Sequence, residues 1–217
     1  MNEIFSDLSK FLLNKIKPLL RNWNLENHFV VDSMPIIMAK DSRSTKCKTA
    51  NELANKGYCA SKKTYYYGVK FHLISDRREG TLAAPRFLKI TGASMHDLTA
   101  LKEDLCKIKF ATIFADKAYI DSAMKNTLAR KMTEIHIPIK LSKSKTSLDP
   151  DEVSYSKTVS SFRQSIEIFF SWINERTGIQ TGSKVRSKKG LLVHAFGRFS
   201  AALYMYFIKY RANFLNR

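Results

Sequence analysis

Two short apolar runs in this chain each end on an aspartate. Phe29-Val30-Val31 leads into Asp32, with Ser33, Met34 and Pro35 behind it, and Phe110-Ala111-Thr112-Ile113-Phe114-Ala115 leads into Asp116. Runs rich in Val, Ile and Phe read as buried strands, and Pro35 is expected to stop the first soon after its aspartate. A carboxylate in such a strand is costly unless something compensates it. A bound cation does so, and so does a cap or an ion pair at a strand end. The recurrence favours the cation, because two similar strands can deliver two carboxylates to one place. A third carboxylate from a late helix completes a set able to hold two divalent ions, which activate a water or hydroxyl and stabilise the leaving oxygen of an in-line phosphoryl displacement. All-oxygen ligation suits Mg²⁺ or Mn²⁺ better than zinc. Glu167 is the candidate. It lies in Arg163-Gln164-Ser165-Ile166-Glu167, where a spacing of four places Arg163 on nearly the same helix face one turn back. An ordinary surface ion pair is the plain alternative. Glu152 and Glu175 compete for the third position and Asp121 for the second, although no strand precedes Asp121.

The elements that must position these groups follow from periodicity. Phe5, Leu8, Leu12, Ile16, Leu19, Leu20 and Trp23 recur at helical spacing, with Pro18 expected to kink or end that helix. Lys40 to Lys63 reads as a basic loop. Tyr65 to Ile74 and Arg86 to Ile90 read as a hairpin around Gly80. Asp97 to Lys107 is a crossover helix capped by Asp97, and it feeds the strand that ends at Asp116. Ile120 to Lys131 reads as a helix, Ile135 to Ile139 as a fifth strand, and Lys140 to Glu152 as a polar linker. Val159 to Arg176 is a helix closing near Gly178, and a last helix spans about Leu191 to Ala212. A crossover helix between strands marks an α/β sheet. The expectation is a mixed five-stranded sheet flanked by helices.

Charge narrows the partner. Among 217 residues, 37 Lys and Arg face 19 Asp and Glu, a net charge of +18. An excess of that size points to a polyanion, with nucleic acid ahead of an anionic membrane surface. The apolar stretch Leu191 to Ile208 is interrupted by His194 and Arg198 and reads as a core helix rather than a membrane span. Cys47, Cys59 and Cys106 form no CxxC pair and read as free thiols of a reducing compartment. Charged residues within the N-terminal apolar pattern do not fit a secretory signal, so a cytoplasmic location follows.

Six stretches in order carry a family resemblance: Asp32 to Pro35, Gly57 to Lys63, Tyr65 to His72, Gly92 to Asp97, Phe114 to Tyr119 and Arg163 to Glu167. Together they resemble the DDE-type transposases of bacterial insertion sequences. That resemblance implies an RNase H-like fold over residues 29–217, with residues 1–28 expected as a helical remnant of a DNA-binding region at the start of a truncated chain. It implies a metal triad of Asp32, Asp116 and Glu167 with two Mg²⁺ or Mn²⁺ ions, helped by Arg163, and cleavage and strand transfer at the ends of a mobile element. The partners it implies are DNA and further copies of the chain in a homodimer or higher oligomer, with no membrane and with the nucleoid as the place of action. DNA backbone contacts are expected from Lys46, Lys48, Lys62, Lys63, Lys70, Lys117, Lys143, Lys184, Arg186 and Lys188, the solvated surface being the plain reading of each. Tyr65 to Tyr67 are expected to pack rather than stack on bases. A nuclease of the same fold, and a non-catalytic nucleic-acid-binding relic, are the rival readings.

Overall fold

A computed structural model describes residues 11, 14, 27–60, 62–141 and 145–215, with 210–215 described as backbone. The N-terminal helix expected from periodicity lies outside the described residues, apart from two helical positions, and Lys143 lies outside them as well.

The sheet is mixed and has six strands. Strand β1 (His28–Lys40) is followed by a short helix α1 (Asp41–Lys46), β2 (Asn55–Cys59), β3 (Thr64–Asp76) and β4 (Ala84–Gly92). Helix α2 (Asp97–Leu105) crosses over to β5 (Ala111–Phe114), and α3 (Ser122–Ala129) to β6 (Thr133–His136). Two long helices, α4 (Pro150–Thr177) and α5 (Lys188–Leu215), complete the order. The strands run β2-β3-β1-β5-β6, with β4 also on β3. β1, β3 and β4 pair antiparallel, while β1, β5 and β6 pair parallel. This is a curled α/β sheet with helices on both faces, compatible with the RNase H-like expectation.

Alternation along β1 builds two cores. Val30, Met34 and Ile36 face α4 and α5, where Ile166, Phe169 and Ile173 meet Leu191, Phe199 and Leu203. Phe29 and Val31 face α2 and α3, against Leu101, Leu105, Met124 and Leu128. The last helix thus buries one face in the first core. It is also the one described helix long and apolar enough to cross a membrane.

Three expectations need correction. The basic stretch Lys40 to Lys63 contains α1 and β2 rather than a bare loop: Gly57, Tyr58 and Cys59 pair with Tyr66, Tyr65 and Thr64 across a hairpin, and lysines on an exposed edge masked the alternation. Pro35 does not stop β1. The N–H of Ile37 points away from β3, to the carbonyl of Gln180 at 2.8 Å, and Pro35, two residues earlier, turns its nitrogen to that same edge, where no paired strand needs a donor. The polar linker ends early, because Pro150 occupies the first turn of α4 behind a capping box of Asp149 and Glu152, a position that suits proline. The close of α4 is as expected, with Gly178 at φ 63° in the left-handed conformation.

Candidate active site

The register of β1 on β5 explains why the two aspartates meet. Val30 lies opposite Phe114 in the parallel pair, so Asp32 and Asp116 stand two residues beyond the same rung and on the same face. There the strands part. β5 ends, and Asp116 caps the 3-10 turn Lys117–Tyr119, its Oδ1 accepting the Lys117 N–H at 2.7 Å. Asp32 stays within β1, held opposite Leu73 of β3, and its Oδ1 accepts the Ser33 N–H at 2.8 Å.

Helix α4 covers this face and presents Arg163 and Glu167 one turn apart. The Arg163 guanidinium reaches all three carboxylates: Nη2 lies 3.1 Å from Asp32 Oδ2, Nη1 3.7 Å from Asp116 Oδ1, and Nη2 3.5 Å from Glu167 Oε1. Its side chain is 9% exposed against 50% for Asp116 and 54% for Glu167. A buried cation therefore floors a rim of open carboxylates. Among the described residues, the buried Arg163 Nε has no hydrogen-bond partner, and the contacts of this guanidinium there are with the acids.

Burial pushes Asp32 up to about 6, against the opposing pull of Arg163 and the Ser33 N–H, while Glu167 and Asp116 raise it further. Such a group is costly to ionise unless a cation sits beside it. Arg163 is one such cation. The donor chemistry, three carboxylates from three elements, also fits a hard divalent ion. Among the described residues no three candidate ligands stand close enough to enclose one ion as they are, the guanidinium occupying the middle of the group.

A second polar cluster lies behind β1, on the opposite face. Asp97, the first residue of α2, accepts from Ser33 Oγ at 2.9 Å and from Lys70 Nζ at 3.1 Å, and faces His72 Nδ1 at 3.6 Å. His72 is wholly buried, its Nε2 2.8 Å from Thr91 Oγ1. Burial drives it down to about 4, against Asp97, with Lys70 and Lys89 lowering it further. Asp97 does not serve as the helix cap: His96 takes that position, without a side-chain bond. Lys70 also donates to the Met95 carbonyl at 3.0 Å, and so directs its charge inward, away from the carboxylates. Tyr119 is buried and its hydroxyl has no hydrogen-bond partner among the described residues; burial first, then Asp97 and Asp32, push it well above the usual phenol range.

Two of the other acids considered from the sequence, Glu152 and Asp121, are engaged elsewhere, and Glu175 lies about two turns past Glu167 on α4. Glu152 serves the α4 cap and Lys145. Asp121 caps α3 and binds Lys102 at 2.6 Å. Among the basic residues, Lys46, Lys48, Lys62, Lys63, Lys117, Lys184, Arg186 and Lys188 are exposed. Tyr66 and Tyr67 are buried as expected, but Tyr65 is 55% exposed and pairs with Tyr58, ring centroids 5.1 Å apart. The cluster centred on Asp97 escaped the sequence reading. Its one signal was the period-two placement of Lys70 and His72 on β3.

Residues 24–180 match the family described as "Transposase DDE domain". No curated protein and no solved structure gave a match. The match takes in β1 with Asp32, the end of β5 with Asp116, and α4 with Arg163 and Glu167, and extends over well more than half of the sequence; the chain belongs to the transposase DDE domain family.

Proposed function

We propose that this chain is a metal-dependent DNA transposase of a bacterial insertion sequence, with Asp32, Asp116 and Glu167 as metal ligands. The observation that supports this most is the contact of one buried guanidinium with three carboxylates from β1, the end of β5 and α4. The proposed reaction is hydrolysis of a phosphodiester to leave a 3′-hydroxyl, followed by attack of that hydroxyl on a target phosphodiester. Asp32, Asp116 and Glu167 would hold Mg²⁺ or Mn²⁺, two ions in the full site, which when bound supplies Lewis-acid polarisation of the phosphoryl oxygens. Arg163 keeps the three carboxylates in register and carries a donor fork suited to a phosphate oxygen. The Ser33 N–H fixes Oδ1 of Asp32 and leaves Oδ2 turned to the site. Residues 29–217 form the catalytic unit, the exposed lysines contact the DNA backbone, and the chain works in the cytoplasm at the nucleoid. Transposition needs two element ends held together, so a homodimer or larger oligomer is part of the proposal.

Asp116→Ala is expected to abolish Mn²⁺-dependent nicking and joining of labelled linear DNA while leaving binding intact. Nicking retained by that variant would remove Asp116 from the set. A second reading is favoured by the ion pairs themselves: Arg163 already stands among the carboxylates and offsets part of their charge, as in a non-catalytic DNA-binding relic. That reading predicts salt-sensitive binding with no turnover in Mg²⁺ or Mn²⁺. A nuclease of the same fold yields nicks and never a joined product.

A further inference from the structure

Beyond Ile37, β1 borders a half-open groove of about 1030 Å³ whose far wall is the chain between α4 and α5. Lys40, Arg43, Lys46, Lys62 and Arg186 line it, with Asp41 as the acidic lining residue. All five cations are exposed, and among the described residues none has a carboxylate partner. Lys62 donates to the neutral side chain of Gln180 at 2.8 Å, and Arg186 to the carbonyls of Ser183 and Val185 at 2.9 and 3.0 Å. Asp41 is engaged by Thr64 Oγ1 at 2.6 Å. Five like charges around one concavity repel each other and focus a positive potential into it. An anion relieves that repulsion.

The layout selects the anion. The cations sit on four pieces of chain along both walls instead of converging on a point, which suits an elongated polyanion over a single phosphate. The walls also continue the elements that carry the carboxylates. Along β1, Ile37 to Lys40 lie roughly 17–26 Å past Asp32 at ~3.3 Å per residue. Along α4, Asn174, which also lines the groove, lies about 10 Å past Glu167. DNA rises about 3.4 Å per nucleotide, so those distances span roughly 3–8 nucleotides. We propose that this groove grips the phosphate backbone of the DNA roughly 3–8 nucleotides from the phosphate at the carboxylates. The proposal rests on the DNA-cleaving reading above and adds to it a second, fixed point of contact that holds the strand in line with the site.

The test compares Arg43→Ala/Lys46→Ala/Arg186→Ala with a control of equal charge loss on exposed positions elsewhere, Lys109→Ala/Lys125→Ala/Lys157→Ala. Binding of a fluorescein-labelled 30-base-pair duplex is measured by anisotropy over a range of salt, and melting by circular dichroism confirms that both triples fold. The groove triple is expected to lose about 3 from the slope of log affinity against log salt, and the control essentially none. In cleavage assays the groove triple is expected to raise KM at least tenfold with kcat unchanged. A charge-keeping variant, Arg43→Lys/Arg186→Lys, is expected to retain the slope. Equal slope losses in both triples, or an unchanged slope in the groove triple, would overturn the proposal. If the wild type cleaves while the groove triple binds unchanged, the groove fails and the catalytic reading stands. If the wild type never cleaves but the groove triple alone loses slope, the groove stands as a DNA grip and the catalytic reading fails.

Discussion

One carboxylate and one guanidinium decide what can be tested at the scale of single residues. Asp32 has an ordinary value of 3.8 and is raised to about 6 in the fold, chiefly by burial. Below pH 3.8 it is protonated whether folded or unfolded and costs nothing; between there and pH 6 the folded state holds the proton longer. Above pH 6 the full penalty of ionising it in place is present. The stability gap between Asp32→Asn and the wild type is therefore expected to open between pH 4 and 6, reaching ~1–3 kcal/mol in favour of the variant at pH 7. Urea titrations in chelator at pH 4 and pH 7 check this; a gap that does not change with pH would show that the shift is not there. Arg163 is the other half of the balance. Arg163→Ala leaves three carboxylates facing each other without a counter-charge, and is expected to cost roughly 3 kcal/mol in chelator. Added Mg²⁺ should return more stability to this variant than to the wild type, as read by thermal melting.

Between elements, the two-residue overhang of β1 and β5 past the Val30–Phe114 rung brings Asp32 and Asp116 together. Behind β1, Asp97 ties α2 to Ser33, the same residue whose N–H holds Asp32. The tie crosses the sheet from one face to the other through a single residue. A double-mutant cycle of Ser33→Ala and Asp97→Ala is expected to give a coupling of about 1 kcal/mol. Additive effects within a few tenths of a kcal/mol would mean that the hydrogen bond contributes nothing to the position of β1. These links were hidden in the sequence for a plain reason: Ser33 and Asp97 stand 64 positions apart, and an aspartate at the start of a helix looks like a cap.

For the molecule as a whole, α5 is the element that tests whether the architecture is one core or a core with an appendage. It begins after the end of the family match at residue 180, yet Leu191, Ala195, Phe199, Leu203 and Tyr206 are fully buried. Phe199 lies against Phe71 of β3, ring centroids 4.9 Å apart. Phe199→Ala is expected to destabilise the protein by ~3–5 kcal/mol, measured by urea unfolding. A loss under about 1 kcal/mol would mean that α5 packs loosely and is not part of the core. Part of the apolar character of this helix goes into that packing: Leu191, Phe199, Ala202 and Leu203 lie in the first core, while Ile208 stays exposed.

Apart from α1 and β2, the order of the described strands and helices was legible in the sequence, as were the β3–β4 hairpin, the closing glycine of α4 and the nucleic-acid reading, because periodicity, turn residues and charge act over a few neighbouring positions. The carboxylates were legible as well, as an aspartate at the end of each apolar run and an Arg and Glu one turn apart. What tertiary structure alone decided is how these pieces meet. The passage of β1 through Pro35 depended on which edge lacked a partner, and β2 on a hairpin rung that lysines obscured. The direction of Lys70 away from the site depended on Asp97 from a distant helix. The groove required Arg186 to return beside Lys40 and Arg43 through the bridge between Ile37 and Thr181. Apart from the β2–β3 hairpin, whose rungs were local but obscured by charge, each of these is a long-range contact, and a contact between residues tens of positions apart leaves no mark on the spacing of either partner.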